Sequence, residues 1–258
     1  MARTTRSADG VRIAYEVAGE GSPALVLVHG FACDRTYWHE QVPAFAPRHR
    51  VVTIDLAGHG DSEGGRPDWT MAAYGADVVA VVEACGLDAV VLVGHSMGGD
   101  VIAEAGPALG SRLRGLVWVD TYRSLGSPID ADEVAAIAEP FGSDFAGATR
   151  DLVRSMFRPD ADSGLRDWIV EDMAAEPPDI GRSELVHAIS NEPAATARLD
   201  ELSAPLFAIN PDYRPTDVES LREHGMEVVV VPDTGHFLML EAPERFNAAL
   251  AEVLTRIA

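Results

Sequence analysis

The sequence predicts an α/β protein with a mostly parallel, eight-stranded sheet and helices on both faces. Short apolar runs of strand length alternate with helical stretches along most of the chain, which is typical of such a sheet. The 258 residues suffice for one large domain with an insertion, and 47% of them are apolar. Between residues 121 and 203 no strand-like run occurs. We therefore expect a core of residues 1–120 and 204–258, interrupted by a helical insertion of residues 121–203.

The first strands of the chain show two different patterns. Residues 11–17 alternate apolar and polar side chains, as a half-buried strand does. Asp9-Gly10 before them is a hairpin turn signal, so residues 3–18 are predicted to form two antiparallel strands. Residues 24–28 and 50–55 are instead interpreted as strands buried on both faces, the pattern of a parallel sheet.

Helices are predicted over residues 36–46 and 70–85, the second with Thr70 as its N-cap. The next strand, 89–93, runs into Gly94-His95-Ser96-Met97-Gly98-Gly99, and a helical stretch over 100–109 follows. A strand that ends in G-x-S-x-G and turns directly into a helix holds its serine on a strained turn, with the hydroxyl clear of the sheet. The order of strand, motif and helix indicates that Ser96 is a nucleophile.

The second half of the chain returns to the same alternation after the insertion. A strand is predicted over 115–120, and the insertion that follows consists of short amphipathic stretches broken by prolines. We expect it to lie over the carboxyl edge of the sheet. Strands resume over 205–210 and 227–231, and a final helix is predicted over 243–257.

Charge and composition exclude several classes of partner. The formal net charge is −21, with 41 acidic residues against 20 basic ones, so nucleic acid and anionic membranes would be repelled. No apolar run is long enough to span a bilayer, and the basic N-terminus lacks the apolar stretch of a secretion signal. The two cysteines are interpreted as free thiols in a reducing compartment. These features predict a cytoplasmic protein, and they leave its oligomeric state open.

Several polar residues follow predicted strands and should meet at one edge of the sheet. Ser96 needs a base, and His236, in a Gly-His-Phe turn after the last strand, is the best placed of eight histidines. The oxyanion formed during attack needs preformed donors. The backbone N–H of Met97, directly after the nucleophile, is predicted to be one, and the N–H of Phe31 the other.

The sequence contains none of the common motifs for binding a metal or a nucleotide. The sequence has no H-E-x-x-H, no cysteine cluster, no P-loop and no G-x-G-x-x-G after its first strand. We therefore expect neither a metal nor another cofactor.

The chain resembles the α/β-hydrolase superfamily, in its small esterase, lipase and C–C hydrolase branch. The resemblance rests on four segments spread over nearly the whole chain: residues 29–31, residues 55–62, the Ser96 turn, and Gly235-His236-Phe237 with the helix start at 241–244. It implies a catalytic triad, and it implies that residues 121–203 form a helical cap over the substrate pocket. We expect the pocket to be lined by His29, Met156, Phe157, Trp168 and Met173.

The resemblance leaves the acid of the triad open. The usual place, a few residues beyond the seventh strand, falls near Arg214, and the nearby strand-end acid is Asp212. Asp120, just after the sixth strand, is the other position that relatives use. Pro211 restricts the backbone beside Asp212, whereas Asp120 ends a strand next to the Ser96 strand. We favour Asp120.

Three functions fit these residues. The first is hydrolysis of a small-molecule carboxylic ester, lactone or thioester through an acyl-enzyme on Ser96. The second is hydrolytic C–C cleavage by the same triad, which polar cap residues able to protonate a carbanion would favour. The third is a ligand-binding receptor without catalysis, against which an intact set of serine, histidine and acid argues.

Overall fold

A computed structural model describes residues 2–199 and 201–257 of the chain. Its centre is one eight-stranded sheet in the order β1-β2-β4-β3-β5-β6-β7-β8. The strands are β1 Arg3–Arg6, β2 Arg12–Ala18, β3 Ala24–Val28, β4 Val51–Ile54, β5 Val90–His95, β6 Leu113–Val119, β7 Leu206–Pro211 and β8 Met226–Val231. β1 and β2 pair antiparallel, β2 pairs antiparallel with β4, and the remaining pairs are parallel. The predicted fold class is confirmed.

Helices cover both faces of the sheet. They are α1 Gln41–Phe45, α2 Met71–Ala84, α3 Met97–Leu109, α4 Ala131–Ser143, α5 Phe145–Ser155, α6 Ser163–Ala174, α7 Pro178–Ile189, α8 Glu192–Leu199, α9 Val218–Glu223, α10 Leu238–Glu241 and α11 Pro243–Ile257. α2 and α8 pack on α3, whereas α1 packs on α11. In the part of the chain that the structure describes, no helix is both long and apolar enough to cross a membrane.

Burial explains why the central strands carry no polar alternation. Every residue of β3, β4 and β5 is buried, because helices lie on both sides of these strands. Each valine or leucine that they bury stabilises the fold by about 1.5–3 kcal/mol relative to an exposed position. Trp118 on β6 is also fully buried, and its indole N–H donates to the carbonyl of Gly99, 2.9 Å away. This bond fixes the start of α3 against the sheet.

The helix predicted over residues 36–46 is divided in the structure. A 3₁₀ turn spans Arg35–Trp38, and α1 begins only at Gln41. Asp34 caps the 3₁₀ turn by accepting from the N–H of Thr36. Pro43 has no N–H to donate back to the preceding turn, which disfavours one continuous helix across this point. The prediction of a single helix was wrong at this point.

Five helices, α4 to α8, follow β6 before the chain returns to the sheet at β7. The first of them starts with a capping box: the Asp130 side chain accepts from the N–H of Glu133, and the Glu133 side chain accepts from the N–H of Asp130. Phe141 and Phe145 are buried and meet edge to face where α4 passes into α5. Within the described residues, this segment is entirely helical or loop, as predicted.

Candidate active site

Ser96 occupies a strained turn between β5 and α3. Its φ of 52° lies in the left-handed region, which a non-glycine residue rarely adopts. Close packing requires glycine on both sides of the turn. A Cβ on Gly94 would lie 2.2 Å from the carbonyl oxygen of Gly98, and a Cβ on Gly98 would lie 2.4 Å from that of His29. The turn therefore holds Ser96 at the carboxyl end of β5, with its side chain directed away from the sheet.

His236 and Asp120 are joined by a short hydrogen bond at this edge. His236 Nδ1 lies 2.6 Å from Asp120 Oδ2, and both side chains are buried. The backbone of His236 is held on two sides: its N–H donates to the carbonyl of Met156 at 3.0 Å, and its own carbonyl lies 2.9 Å from His95 Nε2. Asp120 has a φ of 45°, so it too occupies a strained position directly after its strand.

Two hydrogen bonds to the backbone of Ser96 place this residue beside Asp120. The N–H of Ser96 donates to the carbonyl of Val119 at 2.9 Å, and the hydroxyl of Thr121 donates to the carbonyl of Ser96, also at 2.9 Å. The two residues that flank Asp120 in the chain thus both bind Ser96. In the described structure no hydrogen bond joins Ser96 Oγ to the His236 ring, and such catalytic bonds often tighten only when substrate is present.

The other candidate acid, Asp212, has different partners. Its Oδ1 accepts from the N–H of Thr234 at 3.3 Å and lies 3.4 Å from Arg158 Nη1. Asp212 therefore braces the loop that precedes His236 rather than the imidazole itself. Asn210, at the end of β7, is fully buried and donates to the carbonyl of Tyr122.

Arg123 is a residue that the sequence did not single out. Its Nη2 lies 2.6 Å from Asp120 Oδ1, so the two oxygens of Asp120 contact two different partners, Arg123 and His236. The guanidinium also donates to the carbonyl of Arg214 and lies over the ring of Tyr213. The sequence gives only a weak indication of this pair. Arg123 follows Asp120 by three residues, but the loop between them has no regular spacing of apolar residues from which its structure could be predicted.

Two backbone N–H groups are available for an oxyanion. Phe31 and Met97 line the same cavity as Ser96, and the described residues offer neither N–H a hydrogen-bond partner. Ala32, after Phe31, has a φ of 51°, and its N–H donates to Glu184 Oε1 at 3.2 Å. A carboxylate from α7 thus braces the loop that presents Phe31.

The cavity beside Ser96 has a volume of about 460 Å³. Its lining from helices α4 to α8 is apolar apart from Glu192: Ile137, Phe141, Leu152, Met156, Leu185, Ala188 and Ile189. The loop after β6 adds Thr121, Tyr122, Arg123 and Ser124, and α3 adds Asp100.

Of the five residues predicted to line the pocket, Met156 lines this cavity and the other four do not. Phe157 stacks on Phe237, and Trp168 is 40% exposed on α6, where it packs on Tyr37. Met173, on the same helix, is 2% exposed within the core. These aromatic and thioether side chains stabilise the packing of helices on the core, so residue type alone was a poor guide to the cavity.

His29 is also absent from the cavity lining. Its ring is fully buried, and its Nε2 accepts from the N–H of Leu56 at 3.0 Å. Burial, and after it the neighbouring His59, lowers the pKa of His29 well below the usual range. A neutral ring that fixes the loop after β4 is a structural element of the site.

Comparison with known proteins identifies the family. A model described as "Alpha/beta hydrolase family" matches residues 25–249. The chain belongs to this family. An uncharacterized protein of Mycobacterium tuberculosis is 38% identical over 99 residues, which are 38% of this chain and 29% of that protein, so the match spans less than a third of the relative.

Two solved structures are similar over nearly the full length of this alpha/beta hydrolase. A thermophilic esterase from Thermogutta terrifontis is 25% identical with a TM-score of 0.84, over 100% of this chain and 99% of that chain. An enzyme described as degrading N-acyl homoserine lactones is 26% identical with a TM-score of 0.79, over 97% of this chain and 99% of that chain.

A second polar cluster lies next to the loop that presents Phe31. His59 Nε2 is 3.2 Å from Glu184 Oε2 and 3.7 Å from Glu176 Oε1, and the Tyr74 hydroxyl donates to Glu184 at 2.9 Å. The His59 and glutamate ligand atoms lie within 4.8 Å of one another, close enough to hold a metal ion. Burial alone would lower the pKa of His59, but the charge and hydrogen bond of Glu184, with Glu176, raise it to about 9. Without a metal, His59 is therefore an imidazolium at neutral pH that pairs with the two carboxylates.

This cluster should make the stability of the hydrolase depend on pH. The folded-state pKa of His59, about 9, lies above the ordinary 6.5, so the native state keeps a proton that the unfolded state loses. The contribution is complete below pH 6.5 and is lost as the pH rises through 9. The free energy of unfolding should fall by on the order of 3 kcal/mol over that window. Urea denaturation at several pH values measures it.

The comparison variant for this titration is His59→Gln. The fall around pH 9 should be absent in this variant, because the titrating ring is gone, whereas a fall from Glu176, whose pKa burial raises to about 7, should remain. An equal fall in the variant and the wild type would mean that another group causes the dependence.

Proposed function

We propose that the protein is a serine hydrolase that cleaves carboxylic esters, including lactones or thioesters, through an acyl-enzyme on Ser96. The observation that carries this proposal is the buried 2.6 Å hydrogen bond between Asp120 Oδ2 and His236 Nδ1, beside the strained Ser96 turn. A carboxylate at Nδ1 fixes the tautomer whose free Nε2 can accept a proton. The similarity to an esterase and to a lactone-degrading enzyme supports an ester bond as the target.

The first half of the proposed reaction forms the acyl-enzyme. Ser96 Oγ attacks the ester carbonyl carbon while His236 Nε2 takes the hydroxyl proton. The carbonyl oxygen becomes an oxyanion between the N–H groups of Phe31 and Met97, and the positive end of α3 points at the same place. Collapse breaks the bond to the alcohol oxygen, which leaves with the proton from His236.

The second half reverses these roles with water. His236 removes a proton from a water molecule, whose oxygen attacks the acyl carbon, and the second oxyanion uses the same two donors. Ser96 then leaves with the proton, and the carboxylic acid is released. Asp120 stabilises the imidazolium through its hydrogen bond to Nδ1, and Arg123 holds the other oxygen of Asp120 in place.

C–C hydrolysis is the weaker alternative for this site. It would need a polar group of the α4–α8 segment to protonate a carbanion. That segment contributes an apolar wall to the cavity apart from Glu192, and Glu192 Oε1 already accepts from the N–H of Gly126 at 2.8 Å. The lining therefore favours an ester with an apolar portion.

We further propose that residues 121–203 form a cap domain that selects the substrate. Residues 121–203, helices and loops together, supply most of the cavity wall, while Ser96, His236 and Asp120 all lie at strand ends or in loops of the sheet. In this proposal the residues of the sheet carry out the reaction, and residues 121–203 select the substrate.

A panel of p-nitrophenyl esters of increasing acyl length tests the proposed function. Wild-type protein should hydrolyse several of them and should release one equivalent of p-nitrophenol in a rapid first phase, because the acyl-enzyme accumulates. No hydrolysis of any ester by the folded protein would contradict the proposal, and tight ester binding without turnover would favour a receptor.

Narrowing the cavity should shift the acyl length that is preferred. Leu152→Trp fills space on the α5 wall, so kcat/KM for the longer esters should fall about tenfold, while the acetate ester is retained. Trp168→Ala is the matched control, because Trp168 lies outside the cavity wall. If Trp168→Ala shifts the preference and Leu152→Trp does not, the assigned cavity does not hold the substrate.

A further inference from the structure

Asp100 places a carboxylate on the wall of the cavity that holds Ser96. It is the fourth residue after Ser96 and lies on the first turn of α3, so the two Cα atoms are about 6 Å apart along the helix. The residue is only 6% exposed. Carboxylates are seldom buried to this extent unless they are paired.

The two oxygens of this carboxylate are in different situations. Oδ1 accepts two hydrogen bonds, from the Tyr122 hydroxyl at 2.7 Å and from Asn191 Nδ2 at 3.0 Å. Oδ2 receives none from the residues that the structure describes. A purely structural role, in which Asp100 joins α3 to Tyr122 and Asn191 by hydrogen bonds, accounts for Oδ1. It does not account for Oδ2, which has no donor among the described residues.

The cavity does not supply a compensating charge. Arg123 is the cationic side chain in the described lining, and its guanidinium is paired with Asp120. Glu192 adds a second carboxylate. Burial raises the pKa of Asp100 to about 6, against the opposing effect of its two donors, so the group is still ionised at neutral pH. A buried anion with one free oxygen is a strong acceptor for a ligand.

We propose that Asp100 Oδ2 recognises the substrate, by accepting a hydrogen bond from a hydroxyl or ammonium group in the part of the ester that fills the cavity. This inference rests on the proposed ester hydrolysis at Ser96 and specifies its substrate class: esters that carry a hydroxyl or ammonium donor at the end of a short methylene chain, in the part of the substrate that fills the cavity. The apolar wall contacts the intervening methylenes, and Asp100 Oδ2 accepts a hydrogen bond from the donor beyond them.

The experiment compares esters that differ only in the donor. In the acyl arm, p-nitrophenyl 6-hydroxyhexanoate and 6-aminohexanoate are compared with the heptanoate. In the alcohol arm, 5-hydroxypentyl and 5-aminopentyl acetate are compared with hexyl acetate. Wild-type protein should prefer a donor-bearing ester in at least one arm by about tenfold or more in kcat/KM, since a site built for a donor rejects the analogue that lacks it.

Variants separate recognition from structure. Asp100→Leu should bring the preference ratio close to one. In Asp100→Asn the amide oxygen stays with the donors Tyr122 and Asn191, so the NH2 group replaces Oδ2. The ammonium preference should then be lost, whereas a hydroxyl, which can also accept, should keep part of its preference. Glu171→Gln is the matched control: it removes an exposed carboxylate that pairs with Arg150 outside the cavity, so it should keep the ratio. A structural role alone would lower the rates on all esters together and leave the ratio unchanged.

Two results would overturn the inference. One is a wild-type protein that hydrolyses the heptanoate and hexyl acetate but shows no preference in either arm, a result that needs no folded variant and leaves the proposed ester hydrolysis intact. The other is an unchanged ratio in a folded Asp100→Leu protein. Failure to hydrolyse any ester would instead contradict the proposed function itself.

Discussion

Replacing Ser96 with alanine is expected to lower kcat for ester hydrolysis by roughly three or more orders of magnitude. The reason is that the oxygen that forms the acyl bond is removed, while the oxyanion donors of Phe31 and Met97 remain. The loss should therefore appear in kcat, and KM should change little. Steady-state rates with the best p-nitrophenyl ester measure it.

The matched control for this variant is Ser143→Ala. Ser143 is exposed at the end of α4, where its hydroxyl donates to the carbonyl of Pro140 in its own helix. Its replacement should leave kcat within about twofold of the wild type, as is usual for surface changes. An Ser96→Ala protein with wild-type activity would show that the nucleophile lies elsewhere.

Asp120→Asn is expected to cost about four orders of magnitude in kcat. The amide can donate where the carboxylate accepted, so the imidazole of His236 would be held in the wrong tautomer and its charged form would lose its partner. The 2.6 Å contact to His236 Nδ1 is the contact that the substitution changes. Steady-state kinetics over a range of pH measure the effect.

Asp212→Asn provides the comparison, because Asp212 contacts Thr234 and Arg158 instead of the imidazole. We expect its kcat to stay within about threefold of the wild type, since a surface substitution of this kind is usually close to neutral. If kcat falls by orders of magnitude in Asp212→Asn and stays close to the wild-type value in Asp120→Asn, Asp212 is the acid of the triad and our assignment is wrong.

The sequence predicted the elements that obey a local pattern. The all-apolar runs of β3 and β5, the N-cap at Thr70 and the final helix Pro243–Ile257 lie where they were expected. Each of these is determined by the spacing of apolar residues and by capping side chains, which are visible in a few consecutive residues. The turn at Ser96 was visible for the same reason, since its glycines have to flank the serine.

The contacts between distant segments could not be predicted in this way. The orientation of Asp120 depends on its left-handed backbone and on Arg123, and neither is encoded by a periodic pattern. The cavity wall was missed for a related reason. Aromatic residues such as Trp168 and Phe157 pack between elements, while less conspicuous residues of α4, α5 and α7 line the cavity that includes Ser96. Asp100 was missed because an acid in the first turn of a helix is ordinary there.

The most direct test of the account is the site of covalent labelling by a fluorophosphonate probe. The probe phosphonylates an activated serine, and peptide mass spectrometry locates the adduct. We predict a single adduct, on Ser96, in the wild-type protein, and strongly reduced labelling at that position in Asp120→Asn. An adduct on a different residue, or no adduct in a preparation that hydrolyses esters, would contradict the assignment of Ser96 as the nucleophile.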